Sequence, residues 1–210
     1  MEIDLGVVYQ ESRLRVSEMV ISCDDTIAVP ATPGWDVHAV VAHLAGAAED
    51  ARTGNLDGVT TDPWTAAQVV RGKDKSVSEL CAQWAQDSIP LESFLSTPEG
   101  KPFSNAVFDV CSHEADLLSA MGQPVDLPED FLAFARRAMT KSFYAQVASV
   151  GLDPIEVSAL PLEIFRSRLG RRTEAEVMAY DWSALATDYL DLWFIFGRCE
   201  KSLGEFSSSS

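Results

Sequence analysis

Hydrophobic residues recur at helical spacing over most of the first 150 positions of the chain. From Asp4 to about Cys23, Leu5, Val8, Leu14, Val16, Met19 and Val20 repeat at mostly helical intervals with charged residues between them, which predicts a first helix. The segment "VPATPGW" then breaks the pattern with two prolines and a glycine, and Asp36 is placed to cap a second helix through "VHAVVAHLAGAAEDA". Residues 53–75 mix glycine, proline and polar side chains, and predict a long connection with one short helical turn around Pro63 to Val69.

Ser76 stands three residues before Glu79, the spacing of a capping box, and opens a third helix that is interrupted near Pro90. Phe103 to Gly122 predicts a fourth helix with Ala106, Val110, Leu117, Leu118 and Met121 on one stripe and the glycine as its stop. A fifth helix is expected from Pro128 to about Val150, with proline at its entry and acids in its first turn. No long alternating run appears before residue 150, so the chain is expected to be mainly α, with an up-down four-helix bundle over 1–152. Beyond Asp153-Pro154 the pattern loosens. Residues 153–206 are expected to form a small C-terminal appendage, α or α/β, in which "YLDLWFIFGRCE" reads as either a strand or a buried helix. The serines at 207–210 have nothing to bury and predict a disordered tail.

Composition narrows the functional classes. With 47% hydrophobic and 23% charged residues, the 210-residue chain has the balance of a globular protein. Its formal net charge of −16 repels phosphate backbones and anionic headgroups, which argues against nucleic acid and membrane surfaces as partners. The start "MEIDLGVVYQ" is acidic where a targeting segment would be basic, so a cytoplasmic location is expected. Four widely spaced cysteines, Cys23, Cys81, Cys111 and Cys199, form no C-x-x-C pair and are expected to be reduced thiols.

The candidate chemistry lies with the histidines, of which there are only three, His38, His43 and His113. In "FDVCSHEADLL", Asp109 and His113 are four residues apart, so a helix projects both from one face. His43 lies in "AVVAHLAGA" beside the small residues Ala39, Val40 and Ala47, a face that lets another helix approach. Two imidazoles and a carboxylate from facing helices would make a three-ligand metal site with positions left open for water or substrate. Zinc, nickel, iron and manganese all suit such donors. Asp-x-x-x-His also occurs in many helices that bind nothing, so spacing alone leaves a purely structural reading open. His38, five residues before His43, falls on another face and is expected in solvent. Trp35 and Trp182 are expected to anchor the core ahead of stacking on substrate. Arg136-Arg137 and Arg171-Arg172 are expected on solvated faces, with contact to a carboxylate substrate as the alternative.

Two motifs carry a family resemblance. "VPATPGWDVHAVVAHLAGAAEDA" and "FDVCSHEADLLSAMG" resemble, in the same order, segments of the mycothiol-dependent maleylpyruvate isomerase-like family, a branch of the DinB-like helical bundles. "GRRTEAEVMAYDW" is similar to the C-terminal part of actinobacterial members. The resemblance implies a divalent metal, most often zinc, held by His43, Asp109 and His113. Asp116 would stand behind the second histidine to orient a ligand or handle a proton. The family usually has glutamate at the place of Asp109; aspartate is one methylene shorter, so its helix must sit closer to the ion or bind it through water. The implied function is a metal-dependent transferase or isomerase that uses a small thiol, mycothiol, on a small organic substrate. A metal- or ligand-sequestering protein without turnover, and a helical interaction domain with a decayed site, are the alternatives. The motifs leave a homodimer open as the assembly.

Overall fold

The computed structural model of the protein describes residues 3–205, so the serine tail at 207–210 lies outside the described residues. The chain is mainly helical and divides into two compact units, residues 1–123 and 124–210. Among the described residues, no helix is long and apolar enough to cross a membrane.

In the first unit, helix α1 spans Leu5–Val20, α2 Val37–Thr53, α3 Asp62–Gly72, α4 Val77–Asp87, α5 Ile89–Leu95 and α6 Asn105–Ala120. Asp4 caps α1 by accepting from the Gly6 and Val7 amides, and Asp36 caps α2 by accepting from Ala39. Ser76 and Glu79 form the reciprocal capping box expected from the sequence. Gly54 and Gly122, at φ +77° and +65°, follow α2 and α6 in the left-handed conformation that side chains resist. Helix α2 packs on α3 and α4, α1 packs on α5 and α6, and α2 also meets α6. The core is built on Val16, Val40, Leu44, Leu80, Trp84, Val110 and Leu117, all essentially inaccessible.

One ion-pair cluster fixes how α6 is turned. Glu114 is buried, accepts from Ser12 Oγ at 2.6 Å, and is gripped by Arg15 Nε at 2.5 Å and Nη2 at 2.9 Å. The hydrogen bond to Glu114 raises the Arg15 pKa. A carboxylate deprived of these partners would be left buried and unpaired, a strongly unfavourable state, so α6 is locked with Glu114 toward α1. Asp109 and His113, on a different side of α6, are thereby presented to α2.

The second unit contains α7, Glu129–Ser149, followed by α8 Pro161–Arg168, α9 Glu174–Met178 and α10 Leu190–Trp193, with a two-residue antiparallel ladder pairing β1, Val157–Ser158, with β2, Asp181–Trp182. The sequence pattern placed α7 in the bundle; by compactness it groups with residues 124–210. Its buried stripe Phe131, Ala135, Met139, Phe143 and Val147 supplies the reason. Phe131 meets Phe165 edge-on at 5.1 Å, and Phe143 meets Trp193 at 5.0 Å and Trp182 at 6.1 Å. In "YLDLWFIFGRCE" the helical alternative holds over Leu190–Trp193, the short helix α10 with Leu190 and Trp193 buried, and residues 194–200 are irregular.

The arginine pairs divide. Arg136 and Arg137 are exposed as expected, whereas Arg172 is buried, with Nε and Nη2 on Glu163 at 2.8 and 2.7 Å and Nη1 on Glu205 at 2.6 Å. The solvated-face reading therefore fails for Arg172, because two carboxylates meet it inside the unit. Arg168 is fully buried, its guanidinium 5.6 Å from the Phe143 ring centre and 5.3 Å from that of Trp193, and burial lowers its pKa to about 10.

Candidate metal centre

His43 sits in the second turn of α2 and His113 in the third turn of α6, and both are buried. Their rings approach edge to face, with centres 5.0 Å apart. Asp109, one turn before His113, faces both: His43 Nε2 lies 3.2 Å from one carboxylate oxygen and His113 Nε2 3.6 Å from the other. The three ligand atoms lie within 4.8 Å of one another, so the residues singled out from the sequence come together.

These separations fit a metal ion. Ligand atoms about 2.0–2.2 Å from a tetrahedral ion lie roughly 3.3–3.6 Å from each other. The distances from the two imidazoles to the two Asp109 oxygens, 3.2 and 3.6 Å, lie close to that interval, and the three ligand atoms as a set lie within 4.8 Å of one another, so the group could hold an ion. The Asp109 side chain is 42% exposed while both imidazoles are under 10%, so the group is closed on the histidine side and open on the aspartate side.

Each imidazole also has a polar group behind its other nitrogen, but only that of His43 makes a hydrogen bond; His113 Nδ1 is buried without one. His113 Nδ1 lies 3.1 Å from the carboxylate of Asp116, which is fully buried. His43 Nδ1 lies 2.7 Å from Gln68 Oε1, and the Gln68 amide nitrogen donates to Asp50 at 2.8 Å. Arg71 and Asn55 donate to the same aspartate at 2.7 and 2.9 Å. Burial works against the charge on Asp50, but the hydrogen bonds from Gln68, Asn55 and Arg71 outweigh it and lower its pKa. Groups behind metal-binding histidines of this kind orient the ring and set which nitrogen meets the ion.

Trp35 completes the surroundings. Its ring stacks on His113 at 6.2 Å and is tilted against His43 at 5.4 Å. Ahead of α2 the chain folds back on itself: Val29 N–H donates to the Trp35 carbonyl, Trp35 N–H to Thr32, and Val37 N–H to Ile27. Gly34 makes this turn at φ +88°, where a side chain would be strained. Val29, Pro30, Pro33 and Trp35 also border an open depression on the surface. Trp35 is thus half-buried against the two histidines, a place its position before a helix did not reveal.

The remaining candidates fall outside the cluster. His38 Nε2 is 2.7 Å from the Lys75 carbonyl and takes no part in it. Trp182 belongs to the aromatic packing of the second unit, its indole donating to the Val177 carbonyl. Cys23, Cys81 and Cys111 are free thiols, and Cys111 is buried on α6, its pKa raised chiefly by burial. Gln68 and Asp50 are not visible in the sequence as site residues, since a lone glutamine in a predicted connection and an aspartate near the end of a helix carry no signal of their own. No family model, curated protein or solved structure matches the chain.

Proposed function

We propose that the first unit is a DinB-like helical bundle that holds one divalent ion, zinc in the first instance, on His43, Asp109 and His113, and that the protein is a cytoplasmic, thiol-using transferase or isomerase of the mycothiol-dependent type. The observation that carries the metal reading is the convergence of three ligand atoms from two helices to within 4.8 Å of one another. The packing of α1, α2, α4, α5 and α6 around one another supports the bundle, and the order of the two motifs along the chain supports the family.

A divalent ion in such a site supplies positive charge that stabilises a thiolate or polarises a carbonyl oxygen. The chain's own residues define the rest. His43 and His113 turn Nε2 toward the ion position, Asp109 contributes charge and an exposed edge, and Asp116 places a buried carboxylate 3.1 Å from the far nitrogen of His113. Trp35 covers the histidines with an apolar surface that excludes water from that side. A small organic substrate would approach from the side of Asp109, where the group meets solvent.

Turnover separates this reading from a metal-binding protein without activity. A panel of small electrophilic and isomerisable acids, assayed with mycothiol, another low-molecular-weight thiol or no thiol, should show thiol-dependent conversion that a chelator abolishes and zinc restores. Conversion that is indifferent to both thiol and chelator would remove the thiol-and-metal reading.

A further inference from the structure

We infer that Gln68, on α3, is a positioning residue that presents His43 to the ion through Nε2, and that Asp50 and Arg71 hold the glutamine in the required orientation. The inference rests on the metal reading of the His43 site and adds to it a device built from α2 and α3.

Donor and acceptor identities leave one arrangement. The carboxylate of Asp50 only accepts, so the group 2.8 Å from its Oδ2 must be the Gln68 amide nitrogen. That turns Gln68 Oε1 toward His43 Nδ1 at 2.7 Å. A carbonyl oxygen also only accepts, so Nδ1 carries the proton and, in the neutral ring, the lone pair is on Nε2. Nε2 is the atom that faces Asp109. Arg71 Nη2, 2.7 Å from Asp50 Oδ1, and Asn55, 2.9 Å from the same oxygen, fix the far end of the chain of hydrogen bonds.

The backbone is shaped for this contact. Gly46 lies three residues after His43 and four before Asp50, on the same side of α2, and a Cβ there would stand 2.6 Å from the Cβ of Gln68. The absence of that Cβ lets α3 bring the glutamine between the histidine and the aspartate. Within α3 only Gln68 and Gly72 are buried, so the polar chain is one of the ties, beside the packing of Gly72 on Ala42 and Leu80, that hold the helix against α2. Linkage then requires reciprocity: docked α3 favours metal uptake through Nε2, and the metal favours docked α3.

Zinc affinity, measured by competition with a chromophoric chelator, tests this on the full chain together with hydrogen exchange of the α3 amides. Gln68→Leu should weaken zinc binding about 10–100-fold, the loss typical when the group behind a metal-binding histidine is removed. Gln68→Glu should also weaken it, because two carboxylates then face each other. Adding Asp50→Asn to Gln68→Glu restores a donor opposite an acceptor, and affinity should return to within a few-fold of the parent. Zinc should slow exchange in α3 of the parent and of the double variant but not of Gln68→Leu. A leucine variant that binds zinc within about twofold of the parent, or a folded double variant that does not recover, overturns the role of Gln68 alone. A parent protein that takes up no zinc overturns the metal reading and this inference with it.

Discussion

His43→Ala should strip the protein of bound divalent metal while leaving its helical content close to that of the parent. Three protein ligands share the apparent binding free energy of a protein zinc site, about 10–16 kcal/mol, so removing one costs roughly 3–5 kcal/mol, or about 10²–10⁴-fold in affinity. The fold should tolerate the change. The imidazole lies within α2, where alanine is the better helix former, and the buried residues Val40, Leu44 and Ala48 on the same helix keep their contacts. The relay behind the histidine loses its acceptor's partner, but Gln68 keeps its bond to Asp50. Metal content after dialysis against limiting chelator, read beside the far-ultraviolet circular dichroism of the same sample, checks the expectation. Metal retained at parental level in a folded variant would remove His43 from the site.

Trp84→Ala should be the most damaging single change to the first unit, at about 3–5 kcal/mol. Trp84, on α4, is completely buried, meets the ring of Tyr9 edge-on at 6.5 Å, and donates its indole N–H to the Tyr9 hydroxyl at 3.0 Å. The substitution removes the largest side chain of that core and leaves the phenol without its donor. Tyr9 is itself buried, and its pKa is raised mainly by that burial, so the hydroxyl has no ready replacement in solvent. For domains whose whole stability is about 5–15 kcal/mol, a loss of this size moves the denaturation midpoint severely. Because α4 packs on α2, metal uptake should fall with the folded fraction instead of site by site. Trp84→Phe, which keeps most of the volume and loses the donor, should cost about 1–2 kcal/mol. Equilibrium denaturation that finds less than about 1 kcal/mol for Trp84→Ala would contradict this picture of the core.

The parts of the fold that were legible in the sequence are those held by apolar periodicity. The stripes of α1, α2, α4, α6 and α7 announce themselves because each helix must bury one face, and the caps of α2 and α4 follow from Asp36 and Ser76. Helix α3 was reduced to a turn in the sequence reading because its buried side is a glutamine and a glycine, which have no hydrophobic signature. The unit to which α7 belongs was equally hidden: a stripe states that a helix is buried but not against which partner. Within the site, His43, Asp109 and His113 could be picked out because histidine is rare here and the i to i+4 spacing is diagnostic of a shared face. Gln68 and Asp50 could not, since their roles depend on which oxygen meets which nitrogen across two helices.

Titration of metal-free protein with cobalt(II), followed by visible absorption and by displacement with zinc, tests the central claim most directly. One saturating equivalent per chain, with the intense visible bands of a low-coordinate cobalt site, is the expected result, and the bands should be lost from His43→Ala and His113→Ala. Absence of saturable binding, or spectra unchanged by loss of both histidines, would contradict the assignment of His43, Asp109 and His113 as a metal centre.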